Sequence, residues 1–168
     1  DFYSPRKFTK DRLKMLNSIF EGYARVINSR INALLHSTCE IEVDSVEEQR
    51  YYEFSNALTE SDVVALAKID LEKLQGEDPI LVHMDTPVVL SMLDRMMGGE
   101  GEPDPTLSSE YTMTDLELNM YENLISDLIP ILGNSWENYI TIHFDYVRTE
   151  ENPTLVQLIG YEETVVII

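Results

Sequence analysis

The sequence predicts an α/β fold in which two similar halves share a central sheet, and three observations support this. Apolar residues recur every three or four positions over residues 9–36 and again from residue 114, as on one face of a long helix. Shorter stretches after each helix alternate apolar and polar residues, which is typical of half-buried strands. Because the elements follow in the same order twice, we predict pseudo-twofold duplicated helix–strand units, with the long helices packed on the sheet.

The first half is predicted to begin with a helix over residues 9–36, for which Thr9 is a suitable N-cap. Its apolar stripe comprises Leu13, Leu16, Phe20, Tyr23, Ile27, Ile31 and Leu34. Strands are predicted at residues 39–46, 62–69 and 79–84, with a helical turn at 51–58 and a tight turn at 75–78.

A short helix is predicted to start at Thr86-Pro87, where a cap residue precedes a proline at the first helical position. Gly98 is predicted to end this helix, because glycine is common just after the last helical residue. The polar residues 102–112 include prolines and serines, so we place the connection between the halves there. The first half then covers about residues 1–101, and the second covers 113–168.

The second half is predicted to repeat the pattern, starting with a long helix whose capping box is Thr114 and Glu117. Its apolar stripe comprises Leu118, Tyr121, Ile125, Leu128, Leu132 and Tyr139. Pro130 lies inside the stripe and predicts a kink or a lost hydrogen bond. Strands are predicted at 141–147 and 164–168, with a connector at 150–159. This half lacks counterparts of the third strand and the short helix, so we expect the natural chain to continue.

Charge argues against one class of partner. The net charge is −19, but residues 1–37 hold seven basic and three acidic residues, a sum of +4 that leaves −23 for the remainder. A body this acidic repels phosphate backbones, so we predict no nucleic-acid partner. The basic stretch is interpreted as the solvated face of the first helix, or alternatively as a contact with the acidic body of a neighbouring copy.

The composition predicts neither membrane insertion nor site chemistry. The sequence shows no signal peptide and no apolar run near the roughly 20 residues of a membrane helix, which favours a cytoplasmic protein. His36, His83 and His143 are far apart, and Cys39 has no second cysteine at metal-ligand spacing. We interpret His36 as a helix-end residue beside a buried Cys39 thiol, and we predict no metal, cofactor or catalytic residue.

The run Met96-Met97-Gly98-Gly99-Glu100-Gly101 is the most informative segment, because its three glycines permit positive φ angles and the close approach of another surface. A phosphate site would need a helix N-terminus after the glycines, whereas here a helix precedes them and prolines follow. Two interpretations remain. The glycines either fill a surface turn at the end of a helix or dock a partner protein.

Several short motifs, taken in their order and spacing, resemble the middle domain of the FliM family of flagellar motor switch proteins. They are Asp1-Phe2 with Pro5, the segments 7–10, 45–49 and 52–54, Leu93-Asp94-Arg95-Met96-Met97 before the glycine run, and Asn152-Pro153. The resemblance spans essentially the whole chain. It implies the pseudo-twofold α/β fold of the CheC and CheX phosphatases.

The resemblance also implies a function, that of a non-enzymatic adaptor in the flagellar C-ring at the inner face of the cell membrane, where it transmits the chemotaxis signal to rotation direction. Its implied partners are neighbouring FliM copies and FliG, which would be bound by Gly98, Gly99, Glu100 and Gly101, with Arg95 as a further candidate. Contacts with FliN and with phosphorylated CheY are expected only through regions that this chain lacks. A flexible glycine run is expected to let the FliG contact tilt when rotation reverses.

The alternative within the same fold family is a CheC-like phosphatase of phosphorylated CheY. These enzymes resemble one another in an Asp/Ser-xxx-Glu-xx-Asn pattern on the long helices, whose amide positions the attacking water. On the long helices of this chain, the pairs at the Glu and Asn positions are Glu21 with Ala24, Glu117 with Met120, and Glu122 with Ile125. Glu53 and Asn56 have the spacing, but they lie in the short connector with Gln49 at the Asp/Ser position, so we interpret this match as coincidence. Neither long helix supplies the amide, so the mechanism lacks the group that orients water.

Overall fold

The computed structural model describes residues 8–59, 61–72, 78–153 and 159–168. The elements in these residues are α1 (Lys10–Leu35), β1 (Glu47–Arg50), α2 (Tyr51–Ser55), β2 (Val64–Leu71), β3 (Pro79–His83), α3 (Thr86–Met96), α4 (Asp115–Leu128), a 3₁₀ helix (Pro130–Trp136), β4 (Ile142–Glu150) and β5 (Thr164–Ile167). Helices and strands thus follow one another in each half, and the predicted α/β class is confirmed.

The described strands form two antiparallel sheets, each of which joins the first half of the chain to the second. In one sheet β2 lies between β3 and β4, and in the other β1 pairs with β5. The first strand of each half thus pairs with the second strand of the other, an exchange of partners that is consistent with a twofold relation between the halves. The central sheet predicted from the sequence is divided into these two parts within the described residues.

α1 matches the predicted first helix. The Thr9 side chain caps it by accepting a hydrogen bond from Arg12 N at 3.2 Å, and His36 turns the chain at the other end with a φ of +49°. Its buried side faces the core, whereas the basic residues Lys10, Arg12, Lys14 and Arg25 are exposed. Neither α1 nor any other helix in the described part of the chain is long and apolar enough to cross a bilayer.

The strand predicted at residues 39–46 is wrong, because these residues have no regular secondary structure. Two asparagines of α1 explain the difference. Asn32 bonds both main-chain groups of Cys39, accepting from its N at 2.9 Å and donating to its O at 2.8 Å. Asn28 Oδ1 accepts from Ile41 N at 2.9 Å. Main-chain groups that are bonded to a helix are not available for a strand ladder.

The second long helix is shorter than predicted and ends near Pro130. Its capping box is confirmed, since Glu117 N donates to Thr114 Oγ1 at 3.2 Å and Thr114 N donates to Glu117 Oε1 at 2.9 Å. α4 ends at Leu128, and Pro130, which has no N–H donor, begins the 3₁₀ helix. Tyr139, which was predicted on the apolar stripe, lies beyond both helices and is 51% exposed.

The remaining elements differ from the predictions by a few residues. α2, β3 and β5 fall inside the predicted ranges, β4 extends three residues further, and β2 is shifted by two. The N-cap of α3 is Asp85, so Thr86 is already helical and Pro87 follows it in the first turn. Most of the predicted turn at 75–78 and half of the connector at 150–159 lie outside the described residues, as do the motifs at residues 1–7.

The core lies between the β3–β2–β4 sheet and the helices. The four consecutive β2 residues 64–67 are at most 2% exposed, so both faces of this strand are covered. Val89 and Leu93 of α3 pack in the same apolar cluster as Ala65 and Ala67 of β2. A second cluster joins α1, α3 and α4 through Ile31, Leu35, Met92, Leu124 and Leu128. α3 is therefore held by both clusters, which fixes the position of the glycine run that follows it.

Tyr23 of α1 provides a stability prediction. Its hydroxyl donates to Leu128 O at 2.8 Å, and burial raises the pKa of Tyr23 to about 12. Replacing Tyr23 with phenylalanine removes this hydrogen bond, so we expect the free energy of unfolding to fall by about 1 kcal/mol near neutral pH. Urea denaturation of the wild type and Tyr23→Phe measures the difference.

The same pair of proteins predicts a pH dependence. The folded-state pKa of Tyr23 lies above its ordinary value of 10.0. Its contribution is therefore fully present below that pH and is lost as the pH rises toward the folded-state pKa. The difference in unfolding free energy between wild type and Tyr23→Phe should shrink over this alkaline interval. A difference that stays constant there would contradict the burial of this hydroxyl.

Candidate partner-binding site

Residues 98–101, called the glycine loop below, follow the C-terminal end of α3 at the surface. Gly98, Gly99 and Glu100 are exposed, and Gly101 is half-buried. Gly98 has a φ of +94° and Gly101 a φ of +71°, which residues with a Cβ atom rarely adopt. The predicted end of the helix at Gly98 is confirmed, because it directly follows the C-cap residue Met97.

The main chain of the glycine loop is bonded back to the last turn of α3. Gly98 N donates to Arg95 O at 3.0 Å, and Gly99 N donates to Asp94 O at 2.8 Å. These bonds satisfy carbonyls that the end of a helix leaves without intrahelical partners. The first part of the loop therefore continues the geometry of the helix end.

Two side chains of α3 hold the last residue of the loop. Gly101 N donates to Asp94 Oδ2 at 2.9 Å, and the Ser91 hydroxyl donates to Gly101 O. Ser91 and Asp94 lie three residues apart, so they share one side of the helix. Sequence reasoning missed Ser91, and it named Asp94 only as part of the motif before the glycines, without a role. Their spacing before a helix-ending glycine is the signal that could have found them.

Arg95 connects the glycine loop to the end of a second helix. Its Nη1 donates to Glu100 O at 2.8 Å. Its Nε donates to Leu35 O at 2.9 Å and its Nη2 to His36 O at 2.6 Å. The last turn of α1 has no basic residue of its own, so Arg95 supplies the cation that a helix C-terminus favours. The prediction that Arg95 contacts a partner must take account of these three internal bonds.

The three glycines are required for different reasons. A Cβ atom at Gly99 would lie 2.2 Å from Asp94 Oδ2, and one at Gly101 would lie 2.4 Å from Arg95 Cγ. At Gly98 no heavy atom lies within 4 Å of such a Cβ, so only the positive φ favours glycine there. An added Cβ would thus displace the Asp94 carboxylate at Gly99 and the Arg95 stem at Gly101, while the positive φ disfavours a side chain at Gly98 and Gly101.

The exposed surface of this site combines bare backbone with few side chains. Met97, directly before the loop, is 59% exposed, and the Glu100 side chain is also exposed. Sequence reasoning placed Met97 at the end of the apolar helix, in the segment that leads into the glycines, and assigned it no contact with a partner. An exposed thioether beside glycine backbone and a carboxylate suits contact with a protein.

The histidines and the cysteine form no metal site in the described residues, where no group of three or more potential ligands comes together. Cys39 is exposed, so the predicted buried thiol beside His36 is wrong. Its Sγ lies 3.0 Å from Asn32 Oδ1, on the segment that follows α1. His83 Nε2 lies 3.3 Å from Asp62 Oδ1, an ion pair at the sheet when the imidazole is protonated.

The helix positions that a CheC-like phosphatase would use hold other contacts. Ala24 is 6% exposed and Ile125 2% exposed, so these two positions point into the core. Tyr111 Oη donates to Glu117 Oε1 at 2.6 Å, and this carboxylate also caps α4. Burial raises the pKa of Glu117, but hydrogen bonds from Tyr111 and Thr114 outweigh burial and hold the pKa below its ordinary value. This carboxylate is therefore committed to the helix cap.

Comparison with known sequences identifies the family. The sequence profile described as "Flagellar motor switch protein FliM" matches residues 9–168. The chain belongs to the FliM family. It is 27% identical to FliM of Bacillus subtilis and 27% identical to FliM of Treponema pallidum, in both cases over the whole chain. It spans about half the length of these relatives, 48% and 47% respectively.

Solved structures of FliM and FliY proteins share the fold of this chain. The FliM–FliG complex of Helicobacter pylori includes a chain that matches with a TM-score of 0.82 and 21% identity, over 95% of this chain and 84% of that one. The FliM middle domain of the same organism gives a TM-score of 0.78, and FliY of Thermotoga maritima gives 0.74 at 18% identity. At these identities the likeness establishes the fold of this chain. The FliG partner in the complex is a property of the Helicobacter pylori protein.

The glycines offer a paired test of backbone strain. Gly98→Ala should lower the free energy of unfolding by about 1–2 kcal/mol, because alanine is strained at a positive φ even in open space. Gly22, inside α1, meets only Arg25 Nη2 at 3.8 Å, so Gly22→Ala is the matched control. We expect it to raise stability by roughly 0.5–1 kcal/mol, since alanine favours the helix. Chemical denaturation that gave the same sign for both substitutions would contradict the loop conformation.

Proposed function

We propose that this FliM-family chain is a non-enzymatic adaptor of the flagellar motor switch that binds FliG through the glycine loop. The observation that carries the proposal is an exposed run of glycine backbone that α3 holds in a defined shape. A loop whose main chain is already hydrogen-bonded loses little conformational entropy when a partner docks on it. The existence of a FliM–FliG complex from Helicobacter pylori with the same fold supports the choice of partner.

The chemistry of the surface favours a particular kind of contact. Gly98 and Gly99 carry no side chain, so a partner can approach their backbone closely. Met97 adds exposed apolar area, while Glu100 and the exposed Glu102 and Asp104 make the surroundings acidic. We therefore expect the facing surface of FliG to pair an apolar patch with basic residues, which gives both affinity and orientation.

We further propose that neighbouring FliM copies are lateral partners. The exposed basic residues Lys10, Arg12, Lys14 and Arg25 of α1 make no ion pair with any described residue. Residues 38–168 are strongly acidic, because their charges sum to −23. A ring of copies could bring the basic helix of one copy to the acidic body of the next, with contacts that weaken as salt is added.

These two surfaces suggest the place of the chain in the cell. The adaptor would lie in the cytoplasmic rotor ring at the inner face of the membrane, between FliG and its own neighbours. It would pass the chemotaxis signal to the FliG contact. The relatives are about twice as long as this chain, and we assign the contacts with FliN and phosphorylated CheY to the parts of them that it does not match.

FliG binding is tested by reversing one loop charge. Glu100→Arg should weaken the affinity for FliG from the same genome by about tenfold, because it places a cation against a surface expected to be basic. Glu137→Arg makes the same change at another exposed position and is the matched control. Isothermal titration calorimetry measures both affinities, and thermal melts show whether the variants remain folded. Equal affinities for wild type and Glu100→Arg would argue against docking through the loop.

The phosphatase alternative is tested directly. CheY phosphorylated with acetyl phosphate should lose its phosphoryl group at the same rate with and without this chain, because the long helices lack the water-positioning amide. The decay of phosphorylated CheY is followed by its intrinsic fluorescence after the phosphodonor is removed. Acceleration in proportion to the concentration of the chain would overturn the adaptor assignment.

A further inference from the structure

One side chain joins the proposed FliG-binding loop to the end of α1. Arg95 donates to Glu100 O on the loop side and to Leu35 O and His36 O on the α1 side. We propose that Arg95 is a positioning residue that couples the glycine loop to the C-terminal end of α1, so that displacement of one is transmitted to the other. The coupling stands on these contacts, and only its consequence for FliG binding rests on the proposed function.

The path of the Arg95 side chain explains why residue 101 of the loop is a glycine. Its stem crosses the face of Gly101, where an added Cβ would lie 2.4 Å from Cγ and 2.6 Å from Cδ. The Arg95 stem therefore occupies the space that a Cβ at residue 101 would need. Both the position of the Arg95 stem and the positive φ of residue 101 therefore favour glycine there.

The chemistry of arginine suits the transmission of a displacement. The guanidinium is planar and its donors have fixed directions, so a shift of one acceptor forces the others to move or breaks a bond. All three acceptors are main-chain carbonyls. The side chains of Leu35, His36 and Glu100 are therefore not part of the link, which can be cut by substitution at Arg95.

Substitution of Asn32 can perturb the α1 end of this link without changing Arg95 or the glycine loop. It holds the chain where it leaves α1, accepting from the Ser37 hydroxyl at 2.9 Å and bonding both main-chain groups of Cys39. No hydrogen bond joins Asn32 to a residue of the glycine loop in the described structure. Any effect of Asn32→Ala on the loop must therefore travel through the end of α1.

A double-mutant cycle in hydrogen exchange tests the coupling without any partner. The probe is the amide of Gly101, which donates to Asp94 Oδ2. In the wild-type background, Asn32→Ala should raise its exchange rate by about three- to tenfold, the range expected when a supporting hydrogen bond weakens. In the Arg95→Met background, the same change at Asn32 should have no further effect. NMR on the full chain gives the rate for each protein.

Two controls and two contrary outcomes complete the cycle. Arg30→Met removes an α1 arginine that pairs with Asp127 at 2.6 Å, and it should leave the exchange of Gly101 unchanged. Arg95→Lys keeps the charge but loses the planar fork, and it should behave as Arg95→Met does. The proposal is overturned if Asn32→Ala has no effect on Gly101, or if its effect is equal with and without Arg95, since the apolar cluster would then transmit it.

FliG binding separates this inference from the proposed function. Arg95→Met should weaken the affinity of the chain for FliG, and a combined Asn32→Ala change should weaken it no further. If wild type fails to bind FliG, the proposed function fails and the exchange cycle alone decides the coupling. If wild type and Arg95→Met bind equally while the exchange cycle is positive, the coupling is upheld and its proposed role in FliG binding is overturned.

Discussion

The burial of β2 on both faces is the constraint on which the rest of the fold depends. Its residues 64–67 are at most 2% exposed, and it pairs with β3 of the first half and β4 of the second. Removing these apolar side chains from water supplies much of the driving force for bringing the halves together. Val89 and Leu93 of α3 belong to the same cluster, so the helix that carries the glycine loop is anchored to this strand.

One side of α3 packs in the core, and the other side holds the glycine loop. Val89, Met92 and Leu93 are buried, while Ser91, Asp94 and Arg95 lie on the more accessible side and hold residues 98–101. An accessible loop that is supported by a buried helix keeps its shape without being part of the core. This division lets binding residues change with less cost to stability than substitutions in the cluster would have.

Local signals could be read from the sequence, and long-range hydrogen bonds could not. The Thr114–Glu117 capping box and the Thr9 cap involve residues three apart, so their spacing predicted two helix starts. The prediction of a strand at 39–46 was wrong because Asn28 and Asn32 of α1 hydrogen-bond the main chain of that segment. The alternation of apolar and acidic residues there gives no sign of these bonds. The glycine loop was found from its composition. The role of Arg95 depends on carbonyls 59 and 60 residues away, which no local pattern encodes.

The hydrogen bonds of the glycine loop bear on how a FliG contact could tilt. Glycine composition alone suggests a flexible hinge, yet Gly98, Gly99 and Gly101 each donate to α3, and Glu100 O accepts from Arg95. Bending within the loop would break several of these bonds together, whereas moving the loop with the ends of α3 and α1 breaks none of them. If the proposed FliG contact changes its angle, a shift of the two helix ends would preserve more of these hydrogen bonds than bending of the loop would. The glycines then make room for the Asp94 carboxylate and the Arg95 stem, and they leave the backbone open to the proposed partner.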